Sequence, residues 1–117
     1  MKSRILLIAV IIVGSALFTS SQLLKTQLRV TVLDNHGNYQ EDADVTLYGS
    51  LEDFNKSKNP VMDTEKTDSK GRVRFVGLEP QAYFVEVEKG ELSNVLGGEK
   101  TDTLKKGRVN RINIVID

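Results

Sequence analysis

One continuous stretch, residues 67–87, constrains the fold of this chain more than any other. Asp68–Gly71 predicts a tight turn, because Gly tolerates the positive φ angle that such turns require. Val73 and Phe75 follow and alternate with arginines, so one face of this segment is apolar and the other is charged. After a corner at Gly77–Pro80, a second alternating segment begins. This order of turn, strand, corner and strand is typical of β-sandwich domains.

Apolar residues alternate with polar ones in several further segments of the chain. The seven predicted strands are Leu28–Val32, Ala43–Tyr48, a poorly patterned edge strand at Val61–Thr67, Arg72–Val76, Ala82–Glu88, Glu99–Leu104 and a last strand at Arg111–Ile116. Hairpin connections this short favour antiparallel neighbours, and the chain shows no helix pattern suited to a parallel crossover. Within this register we expect Phe75 and Tyr83 to face the core, and Arg74 and Glu86 to face solvent.

The first 21 residues have the three-part plan of a secretory signal peptide. Lys2 and Arg4 provide a basic start, Ile5–Phe18 is almost entirely apolar, and small polar residues follow. The apolar run of about 14 residues is shorter than the roughly 20 that span a bilayer. We expect a signal helix over residues 1–21 that is cleaved before Gln22, with an earlier cut after Gly14 and Ala16 as an alternative site; the other alternative is an uncleaved N-terminal anchor. The predicted localisation is exported: periplasmic, cell-surface or secreted.

Composition excludes several classes of function for the exported chain. Removal of residues 1–21 takes away Lys2 and Arg4 and leaves a net charge of −2. A mildly acidic surface without a basic cluster in the sequence argues against nucleic acid as a partner. The chain has no Cys, so thiol catalysis and most structural zinc sites are excluded. Beyond a short tether at residues 22–27, residues 28–117 suit one domain.

Two segments fit no strand pattern and are predicted to be loops, Gly49–Pro60 and Lys89–Gly98. Ser50 has the side chain of an N-cap, so the first of these is expected to begin with a single helical turn. Binding residues concentrate in loops that a rigid scaffold positions. The candidate binding residues in and beside these loops are Phe54, Glu91, Asn94 and Lys100. Tyr48 and Phe84 point outward in the predicted strands, and we expect them to lie beneath a loop rather than to form an exposed binding face.

The chain resembles carboxypeptidase regulatory-like domains over residues 28–117. The resemblance is carried by Leu28–Asp34 with Gly37, by Ala43–Leu47, and by Thr67-Asp68, Gly71, Phe75, Leu78, Pro80 and Tyr83. Gln81 departs from the Gly that usually follows the Pro. The resemblance implies an all-β fold, a transthyretin-like, seven-strand antiparallel Greek-key β-sandwich. Such domains are common in exported bacterial proteins, and their motif specifies the fold better than the function.

Two related families have chemistry that can be checked residue by residue. Collagen-adhesin B-type domains form an isopeptide cross-link, but at the positions of their Lys and catalytic Glu this chain has Val32 and Val87. The hydroxyisourate hydrolases use several His residues and a Tyr-Arg-Gly-Ser terminus. This chain has one His, and residues 114–117 are Ile-Val-Ile-Asp. The sequence therefore predicts neither the cross-link nor the hydrolase activity.

The remaining polar residues are explained by turns rather than by a catalytic or metal site. His36 lies in a predicted turn, and no neighbouring nucleophile or orienting acid is identifiable. The oxygen-bearing residues Asp34, Asn35, Asn38, Asp42 and Asp44 suggest calcium, but they do not follow the EF-hand spacing, and turn formation explains them. We expect no catalytic, metal or cofactor site.

The predicted function is an exported, non-enzymatic module for protein or carbohydrate binding, or for structural support, at the cell envelope. Its partner would be an unidentified envelope protein or glycan, with membrane contact only through an uncleaved N-terminal segment. The alternatives are a membrane-anchored periplasmic accessory subunit and a small transthyretin-like hydrolase.

Overall fold

The computed structural model of the protein describes residues 25–94 and 99–117. The predicted signal helix and the first part of the predicted tether, residues 1–24, lie outside the described residues. The elements are β1 (Gln27–Asp34), β2 (Asp44–Tyr48), α1 (Leu51–Lys56), β3 (Glu65–Lys66), β4 (Arg72–Val76), β5 (Phe84–Lys89), β6 (Leu92–Ser93), β7 (Glu99–Lys100) and β8 (Val109–Ile116). In this part of the chain, no helix combines the length and apolarity of a membrane span.

The strands form two sheets, which confirms the prediction of an all-β sandwich. The first sheet has the order β4-β1-β8, and we call it the three-stranded sheet. The second sheet has the order β3-β2-β5, and both β6 and β7 pair with the free side of β5. The described residues thus contain eight strands rather than the predicted seven, and a Greek-key connection is not confirmed.

One pairing contradicts the prediction of antiparallel neighbours throughout. β1 and β8 run parallel, with eight residues in register from Gln27 opposite Val109 to Asp34 opposite Ile116. The prediction was wrong because it considered only hairpins and helical crossovers. Here most of the strands between β1 and β8 belong to the second sheet. This long connection lets β8 return in the direction of β1.

The core lies between the two sheets and is built from the inward residues of each alternating strand. Phe75 and Tyr83 are 2% and 1% exposed, which confirms their predicted positions. Arg74 is exposed as predicted, whereas Glu86 lies on the outer face but is half-buried. The other core residues are Leu28, Val30, Val32, Ala43, Val45, Leu47, Val73, Leu78, Val85, Val87, Leu104, Ile114 and Ile116. Each fully buried aliphatic side chain stabilises the fold by about 1.5–3 kcal/mol relative to exposure.

Several predicted boundaries differ from the structure. The predicted edge strand at Val61–Thr67 is reduced to the two residues of β3, because the chain bends at residues 61–62. Thr26 and Gln27, at the end of the predicted tether, lie in the sandwich. Thr26 is buried, and its carbonyl accepts hydrogen bonds from the amides of Gly77 and Leu78. The ordered sandwich therefore begins before Leu28.

The helix α1 forms where the cap pattern predicted a helical turn. The side-chain oxygen of Ser50 accepts a hydrogen bond from the amide of Asp53 at 3.1 Å, and Glu52 and Asp53 place negative charge in the first turn. The helix ends at Lys56, and its C-cap Ser57 has the left-handed conformation common after helix C-termini. This short helix packs onto the outer face of the second sheet.

Candidate functional site

The first turn, after β1, is organised by a single carboxylate. Asp34 accepts hydrogen bonds from the amides of His36 and Asn38, each at 2.9 Å, and from the side chains of Asn38 and Gln40. These bonds hold the pKa of Asp34 below its usual value, and the bond from the Asn38 amide contributes most. Asp34 thus stabilises the turn, and His36 is an exposed turn residue. Within residues 25–94 and 99–117, no three His, Cys, Asp or Glu residues cluster as metal ligands.

The turn before β4 repeats this arrangement with Asp68. Its carboxylate accepts hydrogen bonds from the amides of Arg72 and Lys70, at 3.0 and 2.9 Å, and these bonds lower the pKa of Asp68, with the Arg72 amide contributing most. Gly71 has the positive φ angle predicted for it, +70°. Its carbonyl also accepts a hydrogen bond from Val32 at 2.7 Å, which fastens the turn to β1.

Phe54 does not lie in an exposed loop, because α1 folds it down onto the second sheet. It is 5% exposed, and its ring meets Tyr48 edge-on with centroids 5.9 Å apart and lies 6.0 Å from the ring of Phe84. Tyr48 and Phe84 thus lie beneath the segment that follows β2, as predicted. Phe54 is a packing residue of this small aromatic cluster, in which Tyr48 is also buried and Phe84 is half-buried.

Lys100 lies at the edge of the same cluster. It pairs with Phe84 across β7 and β5, and its ammonium group is 5.7 Å from the centre of the Phe84 ring. This distance permits a cation–π contact. The side chain is exposed, so Lys100 combines a fixed position with access to solvent.

Asn94 has a different role from the one predicted, because its side chain replaces a strand. It is 6% exposed, its amide oxygen accepts from the backbone of Val87, and its amide nitrogen donates to the carbonyl of Val85, both at 2.8 Å. These bonds continue the ladder of β5 between β6 and β7. The side chain is therefore bonded to β5 and buried, away from any partner in solution.

Part of the predicted loop at Lys89–Gly98 is a β-hairpin. β5 and β6 are joined by the two-residue turn Gly90-Glu91, since Lys89 pairs with Leu92. Gly90 has a φ angle of +60°, as expected for Gly at the first central position of a type II′ turn. Glu91 is exposed at the tip of this hairpin. Residues 95–98 of the predicted loop lie outside the described residues.

The four candidate binding residues therefore do not form one site. Phe54 and Lys100 lie at the Phe84 end of β5, whereas Glu91 and Asn94 lie towards its Lys89 end. Of the four, Glu91 and Lys100 are exposed, whereas Phe54 and Asn94 are buried. The sequence pattern missed the role of Asn94 because its partners are backbone groups of β5, which no side-chain pattern marks.

Among the buried polar side chains, Thr46 bonds the hydroxyl of Thr64 at 2.7 Å, whereas the others bond backbone groups. The buried polar side chains of the described residues are Thr26, Thr46, Thr67, Asn94 and Thr101. Thr67 accepts from the amide of Ala43 and donates to the carbonyl of Gln40, and Thr101 accepts from the amide of Tyr83. At the positions of the cross-linking residues in collagen-adhesin domains, Val32 and Val87 are fully buried in the core.

No family model and no curated protein matches this sequence significantly. Among solved structures, the chain is similar to a streptococcal ancillary pilin, with a TM-score of 0.63, 14% identity, and coverage of 82% of this chain and 33% of the pilin. It is also similar to the major pilin subunit of Bacillus cereus, with a TM-score of 0.58, 15% identity, and coverage of 79% and 28%. A third match is the pilus 2b backbone protein of group B streptococcus, with a TM-score of 0.56, 15% identity, and coverage of 78% and 40%.

These similarities concern the fold. The chain spans between about a quarter and two fifths of the length of these structures. They support a β-sandwich fold like that of part of these structures, and the resemblance to carboxypeptidase regulatory-like domains remains a prediction.

Proposed function

We propose that this chain is an exported, non-enzymatic β-sandwich module for structural support, or for protein or carbohydrate binding, at the cell envelope. The observation that carries the proposal is the two-sheet sandwich, which aligns over about four fifths of the chain with part of two proteins named as pilins. A sandwich of this kind is a rigid scaffold that presents loops and faces.

The use of polar groups in the structure supports a module without catalysis. Asp34 and Asp68 bind the amides of their own turns, and Thr67, Asn94 and Thr101 bind the backbone of neighbouring segments. Catalysis by acid, base or nucleophile requires such groups to converge on a substrate instead. These side chains hold the fold together.

Export follows from the pattern of residues 1–21, and the mass of the mature chain tests it. We expect the protein recovered from expressing cells to begin at Gln22 and to be found outside the cytoplasm. A chain that retains Met1 and remains in the membrane fraction would support the alternative of an anchored accessory subunit. A full-length chain in the cytoplasm would contradict the proposal.

Retention on isolated cell envelopes tests the binding role of the exposed candidates. In the double variant Glu91→Ala/Lys100→Ala, both side chains are removed without touching the core, so the fold should persist. We expect this variant to be washed from envelopes at a lower salt concentration than the wild type.

His36→Ala is the matched control, because it changes another exposed turn residue and should be retained like the wild type. Equal retention of the double variant and the wild type would contradict a role for these two residues. A turnover activity that His36→Ala abolishes would overturn the non-enzymatic assignment.

A further inference from the structure

Four arginines lie together on the outer face of the three-stranded sheet. In the strand register Arg29 is directly opposite Arg74 on one side and Arg111 on the other, so the three form one row across the sheet. Arg72 lies two residues from Arg74 and opposite Thr31. Neighbouring strands are about 4.8 Å apart, so the side chains of the row begin close together. We call Arg29, Arg72, Arg74 and Arg111 the arginine face.

The arginine face is not explained by the stability of the fold. Like charges directly opposite each other in a sheet are destabilising. In the described part of the chain, the ion pairs are Lys56–Glu52 and Lys66–Asp44, and neither involves these arginines. Asp68 borders the face, but it is a single carboxylate whose hydrogen bonds go to the turn backbone. Four arginines beside this one carboxylate leave the face with a net positive charge.

The outer face of the second sheet has the opposite charge. Asp44 and Glu88 lie directly opposite each other on β2 and β5, and Glu86 lies two residues from Glu88. With Ser57, Pro60 and Thr64 they line a groove of about 330 Å³. We call Asp44, Glu86 and Glu88, in this setting, the acidic groove. Lys66 offsets one of the three carboxylates, since it binds Asp44 at 2.8 Å.

The groove also shows the strain of like charges. Glu86 is half-buried, and burial together with the nearby Glu88 raises the pKa of Glu86, although a hydrogen bond from Ser57 opposes this. Each face thus holds like charges at a cost that a partner of opposite charge would relieve.

We propose that the arginine face of one copy of this chain docks onto the acidic groove of a second copy. The two faces belong to opposite sides of the sandwich, so every copy presents both. Such a contact is heterologous, and its repetition builds a ring or a filament. This proposal goes beyond the envelope role, because it holds whether or not the chain is exported.

The spacing of the charges matches between the two faces. Arg72 and Arg74 are alternate residues of β4, and Glu86 and Glu88 are alternate residues of β5. Both pairs are therefore separated by one strand repeat of about 6.6–6.8 Å. Val76, Val109 and Val115 border the arginine face and are 38%, 37% and 50% exposed, so they add apolar contact area. Arginine beside exposed apolar residues is common at protein interfaces.

Sedimentation velocity of the purified protein tests the proposal. We expect oligomers larger than dimers to increase with protein concentration at low salt. High salt should weaken the association by about tenfold or more, because exposed charge pairs are screened. A protein that stays monomeric up to about millimolar concentration, the affinity limit of a weak contact, overturns the proposal.

Two variants that change opposite faces provide a complementation test. Arg72→Glu/Arg74→Glu removes the positive pair, and Glu86→Gln/Glu88→Lys removes the negative pair while the Gln can still accept the bond from Ser57. Each variant alone should associate at least about tenfold more weakly than the wild type. An equal mixture should regain association, because the intact groove of the first meets the intact arginine face of the second.

Lys105→Glu/Lys106→Glu is the matched control, since it makes the same charge change as the first variant in an exposed turn. It should associate like the wild type, and an equal loss in this control would overturn the proposal. Circular dichroism and thermal unfolding verify that each variant is folded. If Glu86→Gln/Glu88→Lys is not folded, Glu88→Lys alone replaces it in the test. If the wild type stays monomeric yet its arginine face binds dextran sulfate, the occupant is an anionic polymer and the proposal is wrong.

Discussion

At the scale of single residues, this fold depends on side chains and glycines that complete the backbone at its turns. Asp34 and Asp68 each bind two turn amides, and Thr67 joins the backbone of Gln40 to that of Ala43. The protein has no disulfide to perform this task, since it contains no Cys. The turn at Gly71 combines two constraints, a positive φ angle and a close contact with β1.

Gly71→Ala should destabilise the protein far more than Gly37→Ala. Both positions have positive φ angles, +70° and +83°, which cost a non-glycine residue about 1–2 kcal/mol. A Cβ atom at Gly71 would in addition lie 2.5 Å from the carbonyl oxygen of Val32, whereas at Gly37 it would meet nothing within 4 Å. Urea unfolding of the two variants measures the difference, and equal losses would show that the contact with β1 relaxes freely.

At the scale of elements, the free side of β5 is completed by several short pieces instead of one strand. β6 and β7 contribute two residues each, and the side chain of Asn94 fills the gap between them. The tight hairpin at Gly90-Glu91 positions this segment. What looks like a Gly-rich loop in the sequence is therefore in part an edge of the sheet.

Asn94→Ala should cost about 2–4 kcal/mol, because it leaves the amide of Val87 and the carbonyl of Val85 buried without the side-chain partners they now have. Asn94→Asp is the matched control. It keeps an acceptor for Val87 but loses the donor to Val85. It should therefore also lower the free energy of unfolding, but through the bond to Val85 alone. Urea unfolding gives the total, and hydrogen exchange at the Val87 amide should accelerate only in the Ala variant. Unchanged stability of Asn94→Ala would show that β6 and β7 alone are enough to stabilise the free side of β5.

The same elements show which parts of the structure could be predicted from sequence. Local patterns predicted the turn at Gly71, the helical turn at Ser50 and the inward positions of Phe75 and Tyr83, because each depends on residues close in the chain. The two-residue strands and the role of Asn94 depend on the backbone of β5, which no local pattern reveals. The arginine face likewise requires the register of β1 with both β4 and β8.

At the scale of the whole molecule, the sandwich is closed by a contact between the two ends of the described chain. β8 returns to lie parallel to β1, and Asn110 binds the carbonyl of Gln27 across this junction. Because both sheets contribute to one core, stability cannot be divided between them. Contacts so distant in sequence also favour slow folding, on the order of milliseconds to seconds.

Ile114→Ala and Leu47→Ala should therefore destabilise the two sheets together. Ile114 lies in the three-stranded sheet and Leu47 in the second sheet, and both are fully buried in the shared core. Each change should cost about 2–5 kcal/mol from lost burial and a residual cavity. Val115→Ala, at a position 50% exposed, should change stability by less than about 0.5 kcal/mol.

Amide hydrogen exchange measures both sheets at once, and we expect the most protected amides of β1 and β5 to lose equal free energies of protection in either core variant. Loss confined to the sheet that carries the substitution would show that the two sheets unfold separately, and that the parallel pair of β1 and β8 closes a unit smaller than the whole sandwich.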